Sequence, residues 1–369
     1  MGCTHNAFNA NRSNSHFIVD YAPIGTILNI YFNPFYPLFY FSIQSSTKGN
    51  DVGKRQLSYS YGMLSFLRKI RWTSFILCFT IAAAGCVSQA TSKPQWTQQL
   101  VVQDVRLNEL SGLSESIRYP GYFWANNDSG DSLRCFLISP QGKTVALVNL
   151  KGYKSVDTES LRVAGVPGRS FVYISDTGDN RARRKHVQIY RFPEPEIDVK
   201  KGDQEMELPG EQMILKYGDG SATDAETLLI DKNQRVGIVT KSFLGSKLWI
   251  TPNPFSAGEQ TLQLAGNVPV GKWKQRGQQY SLLFTDGAIS NDGRHVALMT
   301  YTTLFIWKIP GGEDLLNLAK VLSSPPDIQE TLPQLQQGES LSFTGNKSHI
   351  AVSSEGLNPP VMMMNFGVR

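Results

Sequence analysis

From Leu110 to Met364 the chain is a succession of short apolar runs broken by Gly, Asn, Asp and Pro. Apolar residues alternate with small or polar ones inside the runs. That is the period of β-strands, and the runs are too short for helices. They also recur in a fixed order, in five copies. Each copy opens on a small or acidic residue: Leu110-Ser111-Gly112-Leu113, Thr158-Glu159-Ser160-Leu161, Ala225-Glu226-Thr227-Leu228, Asp286-Gly287-Ala288-Ile289 and Gly338-Glu339-Ser340-Leu341. A second run follows at 122–125, 171–174, 236–239, 295–298 and 349–352. A third follows at 135–138, 187–190, 247–250, 303–307 and 361–364. Turn signals such as Pro140-Gln141-Gly142 and Asn291-Asp292-Gly293 separate them.

Fourth runs are less regular. Residues 144–148, 212–215 and 261–264 serve the first three copies. The fourth has only Leu318–Leu322, a segment that could also be helical. The fifth runs out of chain after Met364, and 100–105 offers the strand it lacks. Repetition of this kind predicts an all-β, five-bladed β-propeller over 97–369, closed by an N-terminal strand that hides the last edge. A six-bladed alternative stays open, with an irregular blade between Ala265 and Tyr280.

Antiparallel pairing brings the start of each first strand and the end of each second strand to the same end of a blade. Ser111, Glu159, Glu226, Gly287 and Glu339 are thereby expected in a ring around one mouth of the axis. The loops Asn127-Asp128-Ser129-Gly130-Asp131 and Ser175-Asp176-Thr177-Gly178-Asp179 add acids to the same face, as does Glu355. Converging carboxylates raise one another's pKa, and a cation removes that cost. Calcium suits carboxylates and hydroxyls, so Ser111, Glu159, Glu226 and Glu339 are the expected Ca²⁺ ligands. The competing reading has these glutamates bonding backbone or pairing with Lys and Arg. Asp128, Asp131, Asp176, Asp179, Lys241 and Tyr301 are candidate catalytic groups, although Asp-Ser/Thr-Gly-Asp is also ordinary turn chemistry. The basic run Arg181–His186 is a solvated hairpin tip or an arm for an anionic ligand.

Residues 63–86 change the picture of location. Arg68, Lys69 and Arg71 precede an apolar run from Trp72 to Ala84, which closes on Ala83-Ala84-Gly85-Cys86. A charged start, a short apolar core and a small-residue site make a secretory signal, and the run is too short to span a bilayer as a helix. With Cys after the small residues, the segment resembles a bacterial lipoprotein signal. That resemblance implies a signal peptide over 63–85, lipid on Cys86 and membrane anchorage through it. Residues 86–96 are then a linker. Met63 is the expected start, and 1–62 is read as an upstream extension holding disorder or isolated fragments, since Pro34 and Pro37 break its aromatic run.

The net charge of +5 comes from the leader. Residues 1–85 carry seven Lys/Arg and two acids, which leaves 29 residues of each sign beyond them. A neutral domain exerts no general pull on polyanions, so nucleic acid is not an expected partner. Cys135 is then left without a disulfide partner and reads as a buried thiol.

Two further resemblances follow. Ser-Gly-Leu at 111–113, Asn-Asp-Ser-Gly-Asp at 127–131, the acids Asp157 and Glu159, Gly-Asp-Asn-Arg at 178–181 and Tyr-Arg-Phe-Pro-Glu-Pro at 190–195 resemble a group of bacterial secreted propeller proteins of poorly defined function. More loosely, the ring of Ser and Glu is similar to that of calcium-activated nucleotidases, or apyrases, which are five-bladed propellers around a central Ca²⁺. Blade four departs from that pattern with Gly287. The resulting expectation is a cell-envelope lipoprotein, at the outer membrane and facing the periplasm because Val87 rather than Asp follows Cys86. Its propeller face binds a small molecule or protein around calcium. The alternative is a calcium-dependent hydrolase of phosphate esters. Enzyme status stays open, since no Gly-x-Ser-x-Gly, His-Glu-x-x-His or phosphate loop is present.

Overall fold

The structure is a computed structural model that describes residues 15–21, 26–32, 39–45, 95–273, 281–310, 314–345 and 348–367. The signal segment 63–85, Cys86 and most of the linker after it lie outside the described residues. The chain divides into two compact units, Met1–Val87 and Ser88–Arg369. The first holds an antiparallel meander of β1 (Ser15–Tyr21), β2 (Thr26–Phe32) and β3 (Phe39–Ser45). Among the described residues no helix is long and apolar enough to cross a membrane.

The second unit is all-β with one α-helix among its described residues. Its opening strand is β4 (Thr97–Val101). The first repeat gives β5 (Leu110–Glu115), β6 (Phe123–Asn127), β7 (Arg134–Ile138) and β8 (Thr144–Leu150). The second gives β9 (Leu161–Val166), β10 (Arg169–Asp176) and β11 (Val187–Pro193), then β12 (Gln204–Leu208) and β13 (Glu211–Tyr217). In the third are β14 (Ala225–Ile230), β15 (Val236–Thr240), β16 (Ser246–Ile250) and β17 (Gly258–Val268). The fourth contributes β18 (Phe284–Ile289), β19 (His295–Thr300), β20 (Thr303–Lys308) and β21 (Ile328–Thr331). The fifth contributes β22 (Gly338–Phe343), β23 (His349–Ser354) and β24 (Pro360–Asn365), and β4 completes its sheet in the order β22-β23-β24-β4. Chain closure by the N-terminal strand is therefore observed.

Two features depart from the sequence reading. The segment 318–322 is helical, within α1 (Leu315–Leu322), and the fourth strand of that copy is β21. Asp314 caps α1 by accepting the Leu316 amide at 3.0 Å, and Leu315, Leu318 and Leu322 bury its apolar face. Second, outer strands are shared. β12 pairs in parallel with β8, and β17 pairs in parallel with β13, so copies two and three form one eight-stranded sheet. Both pairings cover edges that would otherwise offer unpaired backbone groups. Of the stretch 265–280, residues 265–268 belong to β17 and Val270–Trp273 form a 3-10 turn; 274–280 lie outside the described residues.

The packing is cyclic. Five apolar clusters fill the spaces between copies one and two, two and three, three and four, four and five, and five and one. Each sheet is thus buried on both faces, which is why its inner strands read as near-continuous apolar runs. β5, β9, β14, β18 and β22 touch in that order, and β22 returns to β5. Cys135 is a free, buried thiol in the first cluster, and burial pushes its pKa well up.

Glu194 explains the Pro-Glu-Pro motif. It is 2% exposed and accepts from Trp124 Nε1 at 2.9 Å, Ser170 Oγ at 2.6 Å, the Arg118 amide at 3.1 Å and Ser116 Oγ. It staples copy one to copy two. Glu194→Ala orphans three buried donors and the part-buried Arg118 amide and should cost about 3 kcal/mol, checked by urea unfolding at equilibrium.

Candidate functional site

A β-bulge opens the first strand of copies one, three, four and five, at Ser111, Glu226, Thr285 and Glu339. Glu159 holds the matching position in copy two, where its amide donates to Ser175 O at 2.9 Å. An extra residue at a bulge turns its side chain away from the regular pleat, and of these residues Ser111, Glu159 and Glu226 come together. The register corrects the expected ring. Its fourth member is Thr285 rather than Gly287. Gly287 is a glycine for packing, since a Cβ there would lie 2.4 Å from Leu298 Cδ2 and 2.8 Å from Ala297 O.

Arg162, which is 5% exposed, plugs the place where the first strands of the five copies meet. Its guanidinium donates to one carbonyl from each first strand: Leu113 at 2.8 Å, Leu228 at 3.1 Å, Gly287 at 2.8 Å, Leu341 at 3.1 Å, and Leu161. It also pairs with Asp286, which is fully buried and accepts Ser160 Oγ and the Leu341 amide, both at 2.7 Å. Desolvation lifts the Asp286 carboxyl to about 6 even against Arg162.

Above the plug the acids collect unevenly. Ser111 Oγ donates to Glu159 Oε2 at 3.4 Å. Among the described residues, two trios place one carboxylate oxygen per residue within 4.8 Å of the others: Asp128, Asp157 and Glu159, and Glu159, Asp224 and Glu226. Asp157 and Asp224 were not singled out as ligands from the sequence. The signal was available: Asp-x-Glu occurs at 157–159 and again at 224–226, at equivalent positions. Glu339 is in neither trio. It accepts from Gln337 Nε2 at 2.7 Å and shares a hydrogen bond with Glu355.

One cation faces this group from within. Lys241 Nζ pairs with Glu226 Oε1 and donates to Tyr301 Oη at 2.8 Å. Burial pulls the ammonium down, but Glu226 and Tyr301 outweigh it and hold its pKa above the ordinary lysine range. Burial and then the Glu226, Asp128, Asp157 and Asp224 charges push Glu159 well up. Burial lifts Glu226 to about 8 against the pull of Lys241. Burial and the Glu339 contact take Glu355 to about 8, and burial takes Asp128 to about 6.

The remaining candidates are committed to the loops. Asp131 accepts from Arg134 Nε and Asn127 Nδ2, each at 2.9 Å. Asp176 is fully buried, accepts the amides of Val156 and Asp157, and pairs with Arg184 at 2.8 Å. Asp179 accepts the amides of Arg183 and Arg184. Arg181, Arg183, Lys185 and His186 are exposed, while Arg184 turns inward. Asp128, Lys241 and Tyr301 are thus brought to the acidic group; Asp131, Asp176 and Asp179 brace the loops beside it.

A pH dependence follows. The folded values of Glu226 and Glu355 lie near 8, against an ordinary value of 4.5. Between those limits the folded state holds protons that the unfolded chain has released, so stability falls as pH rises. Thermal unfolding should move to lower temperature from pH 5 to pH 8.

No family model and no curated protein matches the chain. Among solved structures it is similar to the crystal structure of Chaetomium thermophilum Raptor, at 8% sequence identity and a TM-score of 0.37 over 74% of this chain. The chain spans 29% of that protein's length. A likeness at that level carries no argument about fold or chemistry.

Proposed function

We propose that residues 97–369 form a five-bladed β-propeller and that its acid-bearing mouth is a divalent-cation site through which the protein binds a ligand. The bonding of Arg162 to one carbonyl from each of five first strands supports the blade count. One observation carries the cation: Glu226 is 5% exposed, and its Oε2 is buried without a hydrogen-bond partner beside Glu159 and Asp224. A buried carboxylate oxygen is costly unless a donor or cation meets it. All-oxygen donors with this much negative charge suit calcium. The ligand set differs from the ring expected from sequence: Asp128, Asp157, Glu159, Asp224 and Glu226 make up the cation site, and Ser111 orients Glu159. Glu339 and Glu355 lie on the Lys241 side.

Calcium that binds only the folded state stabilises it by mass action, about 2.7 kcal/mol at a hundredfold excess over Kd. Millimolar calcium should therefore raise the unfolding temperature of chelator-treated protein by ~5 °C or more for a domain of this size. No shift would count against the site.

The signal pattern at 63–86 supports placing the domain at a bacterial cell envelope, held by lipid on Cys86. Cys86→Ser should release it from the membrane fraction. Hydrolysis of phosphate esters is a second reading, favoured by Asp128. Its raised pKa and half-buried place at the first trio suit a proton acceptor. Phosphoesters assayed with and without calcium separate the two readings: turnover that needs calcium supports hydrolysis, and its absence supports binding alone.

A further inference from the structure

We propose that the mouth holds two divalent cations and that Glu159 is the carboxylate they share. This rests on reading the mouth as a cation site and adds its stoichiometry. Two oxygens bound to one calcium, at bond lengths of about 2.3–2.6 Å, lie at most about 5 Å apart. Each trio meets that limit on its own, with its oxygens within 4.8 Å of one another, and only Glu159 belongs to both.

The repeat explains the doubling. Copies two and three each supply an Asp two residues ahead of a Glu at the bulge position. The other copies have Glu109-Leu110-Ser111, Leu283-Phe284-Thr285 and Gln337-Gly338-Glu339 there, and none of them supplies both residues. Because copies two and three are neighbours, Glu159 meets Asp157 of its own copy with Asp128 from one side, and Asp224 with Glu226 from the other.

Two separate observations point to the ligand. Glu226 belongs to the second trio, and its Oε2 is buried and unpartnered although Oε1 is taken by Lys241. Charge favours more than one ion: the five carboxylates, fully ionised, share the Lys241 ammonium with Glu339 and Glu355, so one divalent ion leaves at least two negative charges uncompensated. Arg184, also close to Asp157, pairs through Nη1 with Asp176 and donates to Gly178 O at 2.8 Å, while its Nη2 is buried without a partner.

The test is calcium bound per chain, measured by equilibrium dialysis on the full-length protein after chelation, with circular dichroism to check folding. Wild type should bind two ions. Asp157→Asn and Asp224→Asn should each bind one, and Glu159→Gln should weaken both sites by at least about tenfold. One ion in wild type, weakened alike by Asp157→Asn and Asp224→Asn, would overturn the shared-ligand proposal while leaving a cation site. No bound ion would overturn the cation reading itself. Wild-type stoichiometry decides the number of ions even if a variant fails to fold, and loss of only one ion in Glu159→Gln would overturn the sharing.

Discussion

Arg162→Leu is expected to prevent the second unit from folding at room temperature. The substitution leaves Asp286, 0% exposed, as a charge without its partner, and strips a donor from five buried carbonyls. Breaking a buried pair by removing one member costs roughly 3–5 kcal/mol. Each carbonyl left without a donor adds on the order of 1 kcal/mol. A natural domain has a margin of about 5–15 kcal/mol, so the loss takes most or all of it. Arg162→Lys keeps the charge but cannot fork to several acceptors, and it should fall between wild type and the leucine variant. Urea unfolding followed by circular dichroism measures both. A cost below about 2 kcal/mol for the leucine variant would mean that the axis tolerates an empty centre.

The second large effect concerns Gly178. The residues that leave the second strands stand together above the bulge ring: Asp128, Lys241 and Glu355 donate their amides to Glu109 O, Asp224 O and Gln337 O. Gly178 makes the matching bond to Asp157 O at 3.2 Å and is the member without a side chain. A Cβ there would lie 2.3 Å from Glu159 Oε1 and 2.5 Å from the Asp157 carboxyl. Both are flexible side-chain ends, so Gly178→Ala should push the carboxylates aside without unfolding the domain. Calcium affinity should drop at least about tenfold, roughly 1.4 kcal/mol, with the charge of the site unchanged. Unaltered affinity, measured by calorimetry, would place the ion elsewhere.

Much of this architecture was legible in the chain. The second and third runs of every copy became strands at the expected places, because period-two alternation between turn residues has few other solutions. The closing strand was legible as well, since the fifth copy ended one strand short. What failed was local. Asp286-Gly287 looked like the start of a copy because an acid and a glycine stand there, yet the bulge falls at Thr285, and sequence spacing does not reveal which residue bulges. The segment 318–322, left open between strand and helix, is helical because the buried residues Leu315, Leu318 and Leu322 follow helical spacing behind an Asp cap. Arg162 gave no signal at all. Its partners are backbone carbonyls on five strands, and nothing about a lone arginine between Leu161 and Val163 announces them. The acid-rich face was foreseen as a symmetric ring; the actual group is lopsided, because Asp-x-Glu occurs in two adjacent copies only.

Anomalous diffraction from crystals soaked in a calcium-mimicking lanthanide such as terbium tests the cation site most directly. The geometry predicts strong peaks within coordination distance of the Glu159 carboxylate, between it and Asp157 on one side and Asp224 on the other. A mouth that stays free of anomalous signal, with ordered water hydrogen-bonded to Glu159 and Glu226, would contradict it.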